Sequence, residues 1–171
     1  MRKAVVITSA AVVLTACWLA WKQFGGEHPD PPPSQSRETP PTPIAPLPGT
    51  LLLDGWGEAE TPPVEDLRKL RALTLGYFSV IKDLSRRPIG GNADLAACLL
   101  GDNPEQKAFI DASHPALNAG RLIIDRWGTP IFVHPEAARE LTLRSAGPDQ
   151  TLFTADDLIL APDGREVPAE P

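Results

Sequence analysis

PIFVHPEAARELTLRS, residues 130–145, contains two stretches in which side chains alternate with a period of two, joined by a short polar connection. This alternation is typical of a β-strand with one face on a core. RLIID at 121–125 and LILA at 158–161 show the same pattern, so four short strands are predicted, and the short connections favour antiparallel pairing. The turn chemistry of APDGRE at 161–166 predicts that Val167 pairs back as a last edge segment.

A long helix is predicted before these strands, over residues 61–85. Thr61 suits the N-cap, Pro62 suits the first helical position, and acidic residues follow in the first turn. Asn92 is expected to cap a shorter helix that ends at Gly101. Apolar residues of the long helix recur at steps of three and four and form one stripe: Val64, Leu67, Leu70, Leu73, Tyr77, Val80, Ile81 and Leu84. A stripe of this kind needs a sheet to cover it, so the predicted fold class is α+β, with one long helix packed on a small antiparallel sheet.

The N-terminus predicts a membrane anchor. Two basic residues precede an uncharged run over 4–21, which would extend about 27 Å as a helix and is long enough to cross a bilayer. Basic residues before the run predict a cytoplasmic N-terminus and a folded domain on the other side of the membrane. The alternative is a lipoprotein signal, because LTAC at 14–17 resembles a lipobox in which Cys17 would be lipidated. Residues 1–24 are therefore interpreted as a transmembrane helix or a lipoprotein signal.

Residues 25–60 are predicted to form a linker. The segment 25–48, GGEHPDPPPSQSRETPPTPIAPLP, is too poor in apolar groups to form a core, and its prolines lack the N–H groups that helices and sheets use. Proline bias favours extended polyproline II geometry. The folded domain is then expected over residues 61–171.

Charge and spacing argue against two function classes. The formal net charge is −6 and all 22 acidic residues lie after residue 24, which argues against a nucleic-acid partner. His114 and His134 lack metal-ligand spacing, and Ser145 is outside any G-x-S-x-G elbow. No catalytic residue is therefore predicted, and a secreted hydrolase that pairs a loop aspartate with His134 is the least favoured alternative.

Three aspartates lie on one short loop within RSAGPDQTLFTADDLIL, residues 144–160. Calcium takes six to eight oxygen ligands at roughly 2.3–2.6 Å, and a bound ion would remove the repulsion between the carboxylates. The alternative is that these side chains only cap backbone N–H groups of the turn. The candidate ligands are the carboxylates and the neighbouring oxygens of the loop: Asp149, Asp156, Asp157, Gln150, Leu152 and Thr154.

Three motifs follow one another along the predicted sheet: DRWGTP at 125–130, LRSAGPD at 143–149 and TADDLI at 154–159. Together they resemble the C-terminal half of the major pseudopilins of type II secretion systems, whose heads carry a D-x-W-G-x-P turn and an S-x-G-x-D…T-x-D-D-I calcium loop. The resemblance covers residues 64–160. It implies a pseudopilin-like head, calcium as the bound ion, and a structural turn formed by Asp125, Trp127, Gly128 and Pro130.

The chain differs from that family in two features. It has no leader that ends in glycine and precedes a phenylalanine, and its apolar segment contains no glutamate. In the loop, two family glycines are replaced by Gln150 and Phe153, so a left-handed backbone there would be carried by residues with a side chain.

The predicted function is a non-catalytic, membrane-tethered, pseudopilin-like structural or interaction protein that is stabilised by calcium. Its expected partners are the membrane and type II secretion or pilus-like assembly proteins. The expected location is the bacterial cell membrane, with the folded domain in the periplasm or outside the cell. The alternative is a true pseudopilin subunit of a secretion filament with an atypical N-terminus.

Overall fold

The computed structural model describes residues 46–169, which fold into three helices and one four-stranded sheet. The helices are α1 (Pro48–Leu52), α2 (Val64–Val80) and α3 (Asn92–Leu99), and the strands are β1 (Phe132–Ala137), β2 (Glu140–Ser145), β3 (Leu158–Leu160) and β4 (Glu166–Val167). All neighbouring strands are antiparallel and lie in the order β1-β2-β3-β4. The predicted α+β class and the small antiparallel sheet are confirmed.

The predicted strand over 121–125 is wrong. That segment makes only isolated bridges, from Leu117 to Ile123 and from Ile124 to Pro130, and does not join the sheet. The Ile123 N–H donates to the side chain of Asn92, and the Ile123 carbonyl accepts both the Asn92 amide and the Ile131 N–H. The other three strands and the edge segment at Val167 lie close to their predicted positions.

Helix α2 packs on β2 and β3 with the apolar stripe that the sequence predicts. Leu67, Leu70, Leu73 and Tyr77 are each at most 1% exposed, whereas Val80 at the end of the stripe is 40% exposed. Fully burying one such leucine contributes about 2 kcal/mol. The core of the domain therefore includes the layer between α2 and the inner face of the sheet, and it extends to the buried residues of α3, such as Leu95 and Leu99.

Both ends of α2 differ from the predicted ends. The helix begins at Val64 and not after an N-cap at Thr61, because the Thr61 hydroxyl donates to the carbonyl of Glu58. It ends at Val80, where the Arg139 guanidinium donates to the Phe78 carbonyl and, at 3.0 Å, to the Lys82 carbonyl. Arg139 thereby satisfies carbonyl groups that have no partner inside a helix end.

Asn92 has a different role from the predicted N-cap of α3. It is the first residue of that helix, and its amide Nδ2 donates to the carbonyls of Ile123 and Ile131 at 2.8 and 2.6 Å. Its Oδ1 accepts the Ile123 N–H at 2.9 Å. One side chain therefore joins α3 to the segment that leads into β1.

The folded unit begins before residue 61, so the predicted linker is too long at its C-terminal end. Within residues 46–60, Leu53 is 1% exposed and belongs to the core cluster. The Gly49 N–H donates to the Phe109 carbonyl at 2.9 Å, and a Cβ at Gly49 would lie 2.3 Å from that oxygen. The proline bias at 25–48 led to a linker being predicted as far as residue 60, whereas contacts with the folded domain begin at the short helix α1.

The predicted anchor, Cys17 and the linker up to residue 45 lie outside the described residues. Among residues 46–169, no helix is both long enough and apolar enough to cross a membrane.

Candidate functional site

The D-x-W-G-x-P motif forms a tight turn around a buried carboxylate. Asp125 is 4% exposed, and its Oδ1 accepts the N–H groups of Trp127 and Thr129 at 3.1 and 2.8 Å. Gly128 has φ +90 with open space around it, so backbone conformation alone favours glycine there. Pro130 follows the turn and makes one isolated bridge before β1 begins. These four motif residues therefore have structural roles in one turn.

A second oxygen of the same carboxylate joins this turn to the acidic loop. The Ser145 hydroxyl, at the end of β2, donates to Asp125 Oδ2 at 2.7 Å, and Ser145 is 2% exposed. Ser145 Oγ in turn accepts the Gly147 N–H at 3.3 Å. The two motifs, 20 residues apart in the chain, therefore form one hydrogen-bonded unit.

The backbone of the loop uses the left-handed region at three places. Gly147 has φ +68, and a Cβ there would lie 2.4 Å from the Asp156 carbonyl oxygen. Gln150 has φ +59 and Phe153 has φ +70. Gln150 and Phe153 therefore have a left-handed backbone although each has a side chain, and each carries a conformational cost of about 1 kcal/mol.

Two of the three aspartates are bound within the loop. Asp149 Oδ1 accepts the Thr151 N–H at 2.7 Å, and Asp156 Oδ2 accepts the Asp149 N–H at 3.1 Å. The Thr154 hydroxyl lies 2.7 Å from Asp156 Oδ1. These bonds, first the one from Thr154 and then the one from the Asp149 backbone, lower the pKa of the Asp156 carboxyl below its usual range.

Asp157 differs because its side chain is fully buried and paired with a cation. Its Oδ2 accepts Arg144 Nη1 at 2.6 Å and the Phe153 N–H at 2.8 Å. A buried carboxylate requires such partners. Arg144 therefore neutralises one of the three negative charges that the sequence placed on this loop.

The carboxylates among the predicted calcium ligands already have hydrogen-bond partners within the chain. In the stretch from residue 46 to 169, no group of three or more Asp, Glu, His or Cys side chains is arranged to hold a metal ion. Asp157 is engaged by Arg144, the carboxylates of Asp149 and Asp156 accept loop hydrogen bonds, and Leu152 is a half-buried residue between them. A calcium ion that used all three carboxylates would have to displace these donors.

The outer face of the sheet carries an aromatic row beside the loop. Phe132 lies opposite Arg144 in the β1–β2 register, and Arg144 lies opposite Ile159 of β3. The Phe153 ring contacts Phe132 edge to face at 5.4 Å and covers the Arg144 guanidinium at 4.8 Å. His134 stacks on Phe132 at 6.2 Å. Phe132 and Phe153 are 37% and 59% exposed, so this row is accessible to solvent.

Sequence reasoning missed the roles of Ser145 and Arg144. Alternation in ELTLRS places Arg144 on the outer face, but only the strand register brings it opposite Phe132. For Ser145, the available signal was the serine of the S-x-G-x-D motif.

Comparison with protein-family models, with curated proteins and with solved structures finds no match to this chain.

Proposed function

We propose that this chain is a non-catalytic, membrane-tethered structural or interaction protein whose folded domain is a pseudopilin-like head outside the cytoplasmic membrane. The observation that supports this proposal is the hydrogen bond between Asp125 and Ser145. It joins two motifs that the resemblance also places in one head. The antiparallel sheet packed against α2 agrees with the same arrangement.

A structural role for this region is supported by the use of its polar groups. Asp125 accepts three hydrogen bonds from the turn and from Ser145, and Asp157 binds Arg144 and the Phe153 N–H. General bases and nucleophiles act through lone pairs that face a substrate. Here the buried carboxylates hold the backbone and β2 in place.

The aromatic row supports an interaction role. Phe132 and Phe153 are large, solvent-accessible rings on a sheet face, and the hydrogen bonds of the loop hold Phe153 in position. Aromatic side chains are enriched in the centres of protein interfaces. The proposed partners are components of a type II secretion or pilus-like assembly, and the other proposed contact is the membrane through the N-terminus.

The tether is tested by mass spectrometry of the mature N-terminus of the full-length chain, combined with protease treatment of intact spheroplasts. An unprocessed N-terminus with a protease-sensitive head supports the transmembrane anchor. Lipidated Cys17 supports the lipoprotein alternative. Cleavage by prepilin peptidase would establish a true pseudopilin, and a head protected inside the cytoplasm would contradict the proposal.

The interaction role is tested by placing a photo-crosslinking amino acid at Phe153 of the full-length chain in cells that express the secretion machinery. Leu51, which is 63% exposed on α1, is the matched control position. The expected result is a crosslink to a secretion component from position 153 and none from position 51. Equal labelling from both positions, or none from either, would contradict the proposed surface.

A further inference from the structure

Arg144 of β2 places a positive charge beside the loop. Arg144 Nη1 lies 2.6 Å from Asp157 Oδ2, and the two side chains are 18% and 0% exposed. A pair this well shielded from water interacts more strongly than a surface pair. The buried carboxylate therefore has its positive partner already in place.

The guanidinium is fixed on several sides. Phe153 covers it at 4.8 Å, and the N–H of the same residue donates to the carboxylate that the guanidinium binds. Phe132, opposite Arg144 on β1, contacts the Phe153 ring. Residues of β1, β2 and the loop therefore converge on one charge.

A divalent ion on Asp157 would compete with this arrangement. Oδ2 already receives two donors, and Oδ1 lies 3.3 Å from the Thr154 hydroxyl. An ion that bound this carboxylate would lie next to the guanidinium and be repelled by it. The observed ion pair therefore opposes a calcium ion that would use Oδ2 of Asp157.

We propose that Arg144 is the positioning residue of the loop and takes the place of a divalent cation, so that residues 145–157 keep their conformation without a metal. The planar guanidinium suits this role because it binds the carboxylate and stacks on an aromatic ring at the same time. Asp149 and Asp156 then act only as hydrogen-bond acceptors of the loop. This inference concerns the loop alone and is independent of the proposed partners and of the tether.

The first test uses the full-length wild-type chain in detergent micelles. Its Tm is measured in EDTA and in millimolar calcium, and calcium binding is followed by titration calorimetry. The expected result is the same Tm in both conditions and no binding heat. A Tm that rises with calcium would overturn the proposal and restore calcium as the stabilising ion.

The second test compares variants in EDTA. Arg144→Gln removes the charge and keeps much of the side-chain volume, so we expect a lower Tm and faster chymotryptic cleavage after Phe153. Arg144→Lys is expected to recover part of both losses, because it restores the charge without the planar stacking. Arg165→Gln is the control, since its pair with Asp163 is 79% and 52% exposed. An Arg144→Gln variant as stable and as protease-resistant as the wild type would overturn the proposal.

Discussion

Gly147 and Gly128 both have positive φ, but only one of them is crowded. A Cβ at Gly147 would lie 2.4 Å from the Asp156 carbonyl oxygen, and a Cβ at Gly128 would meet nothing within 4 Å. We expect Gly147→Ala to lower the free energy of unfolding by about 3 kcal/mol, because strain and a backbone clash add. Gly128→Ala should cost about 1 kcal/mol from backbone strain alone. Urea unfolding measures both, and equal losses would contradict the packing argument.

Gln150 offers the opposite test at the same loop. Its φ of +59 strains a residue with a Cβ, and its side chain is exposed. We expect Gln150→Gly to raise the free energy of unfolding by about 0.5 kcal/mol, since relief of strain exceeds the entropy that glycine adds to the unfolded chain. Gln150→Ala keeps the Cβ and should show no gain. A glycine variant that is less stable than the alanine variant would refute this account.

At the scale of single residues, the sequence predicted which polar residues hold the turn and the loop better than it predicted their hydrogen-bond partners. The Asp125 side chain accepts the N–H groups of its turn as expected, and the two positions where the family motif has glycine, Gln150 and Phe153, do have positive φ. The pairing of Asp157 with Arg144 was missed. It depends on the distance across the loop after the strands have paired, and no local pattern encodes that distance.

Among the elements, α3 and the segment before β1 depend on one amide. We expect Asn92→Ala to cost about 3 kcal/mol, because the Ile123 N–H and the Ile131 carbonyl lose their bonds to the side chain. Asn118→Ala is the control and should cost about 1 kcal/mol, since that side chain accepts only the nearby Leu122 N–H. Urea unfolding compares the two. Similar costs would show that Asn92 does not join the segments.

Asn92→Asp separates donation from acceptance in the same element. The carboxylate still accepts the Ile123 N–H but faces two carbonyl oxygens, and only its protonated form can donate to one of them. The folded pKa of this new carboxyl is therefore raised, so its contribution to stability is present at low pH and is lost as pH rises through that pKa. Unfolding free energies of the variant minus those of wild type, followed over pH, should decline in that direction. A difference independent of pH would contradict the assigned donors.

The sequence predicted the buried faces of the helices and strands better than the residues at which these elements end. The alternation in β2 predicted that strand residue for residue, and the stripe of α2 predicted its buried face. The predicted strand over 121–125 failed because its hydrogen bonds are divided between the Asn92 side chain and separate backbone groups, such as the Ile131 N–H, and do not go to one neighbouring strand. The end of α2 at Val80 depends on Arg139, which lies about 60 residues later in the chain.

For the whole domain, stability should fall as pH drops below about 7 because of His114. This residue is 9% exposed, and its Nδ1 accepts the Ala116 N–H at 3.1 Å, so the ring is neutral when folded. Burial lowers the pKa of His114 below its usual 6.5, an effect that nearby Asp111 opposes. The stabilisation is complete above the unfolded pKa and is lost as pH falls toward the folded pKa.

The measurement is urea unfolding of wild type and His114→Gln over this pH range. Glutamine can still accept the Ala116 N–H but does not titrate, so its stability should change less with pH. A variant with the same pH dependence as the wild type would assign the effect to other groups.

For the molecule as a whole, amino-acid composition gave the wrong boundary between the linker and the folded domain. The proline bias of residues 25–48 predicted a linker up to residue 60, yet Gly49 and Leu53 belong to the folded unit. The short helix α1 is held by residues far along the chain, since the Gly49 N–H donates to the Phe109 carbonyl. The composition of a segment does not show such contacts, because they depend on residues elsewhere in the chain.

The two outer strands of the sheet are poor templates for a foreign strand. β1 contains Pro135, whose nitrogen carries no hydrogen, and its pairing with β2 is irregular between Pro135 and Ala137. β4 is only two residues long, and Pro168 follows it. Edges of this kind block intermolecular strand addition and fibril growth. We therefore expect copies of this domain at high local concentration not to polymerise through their sheets.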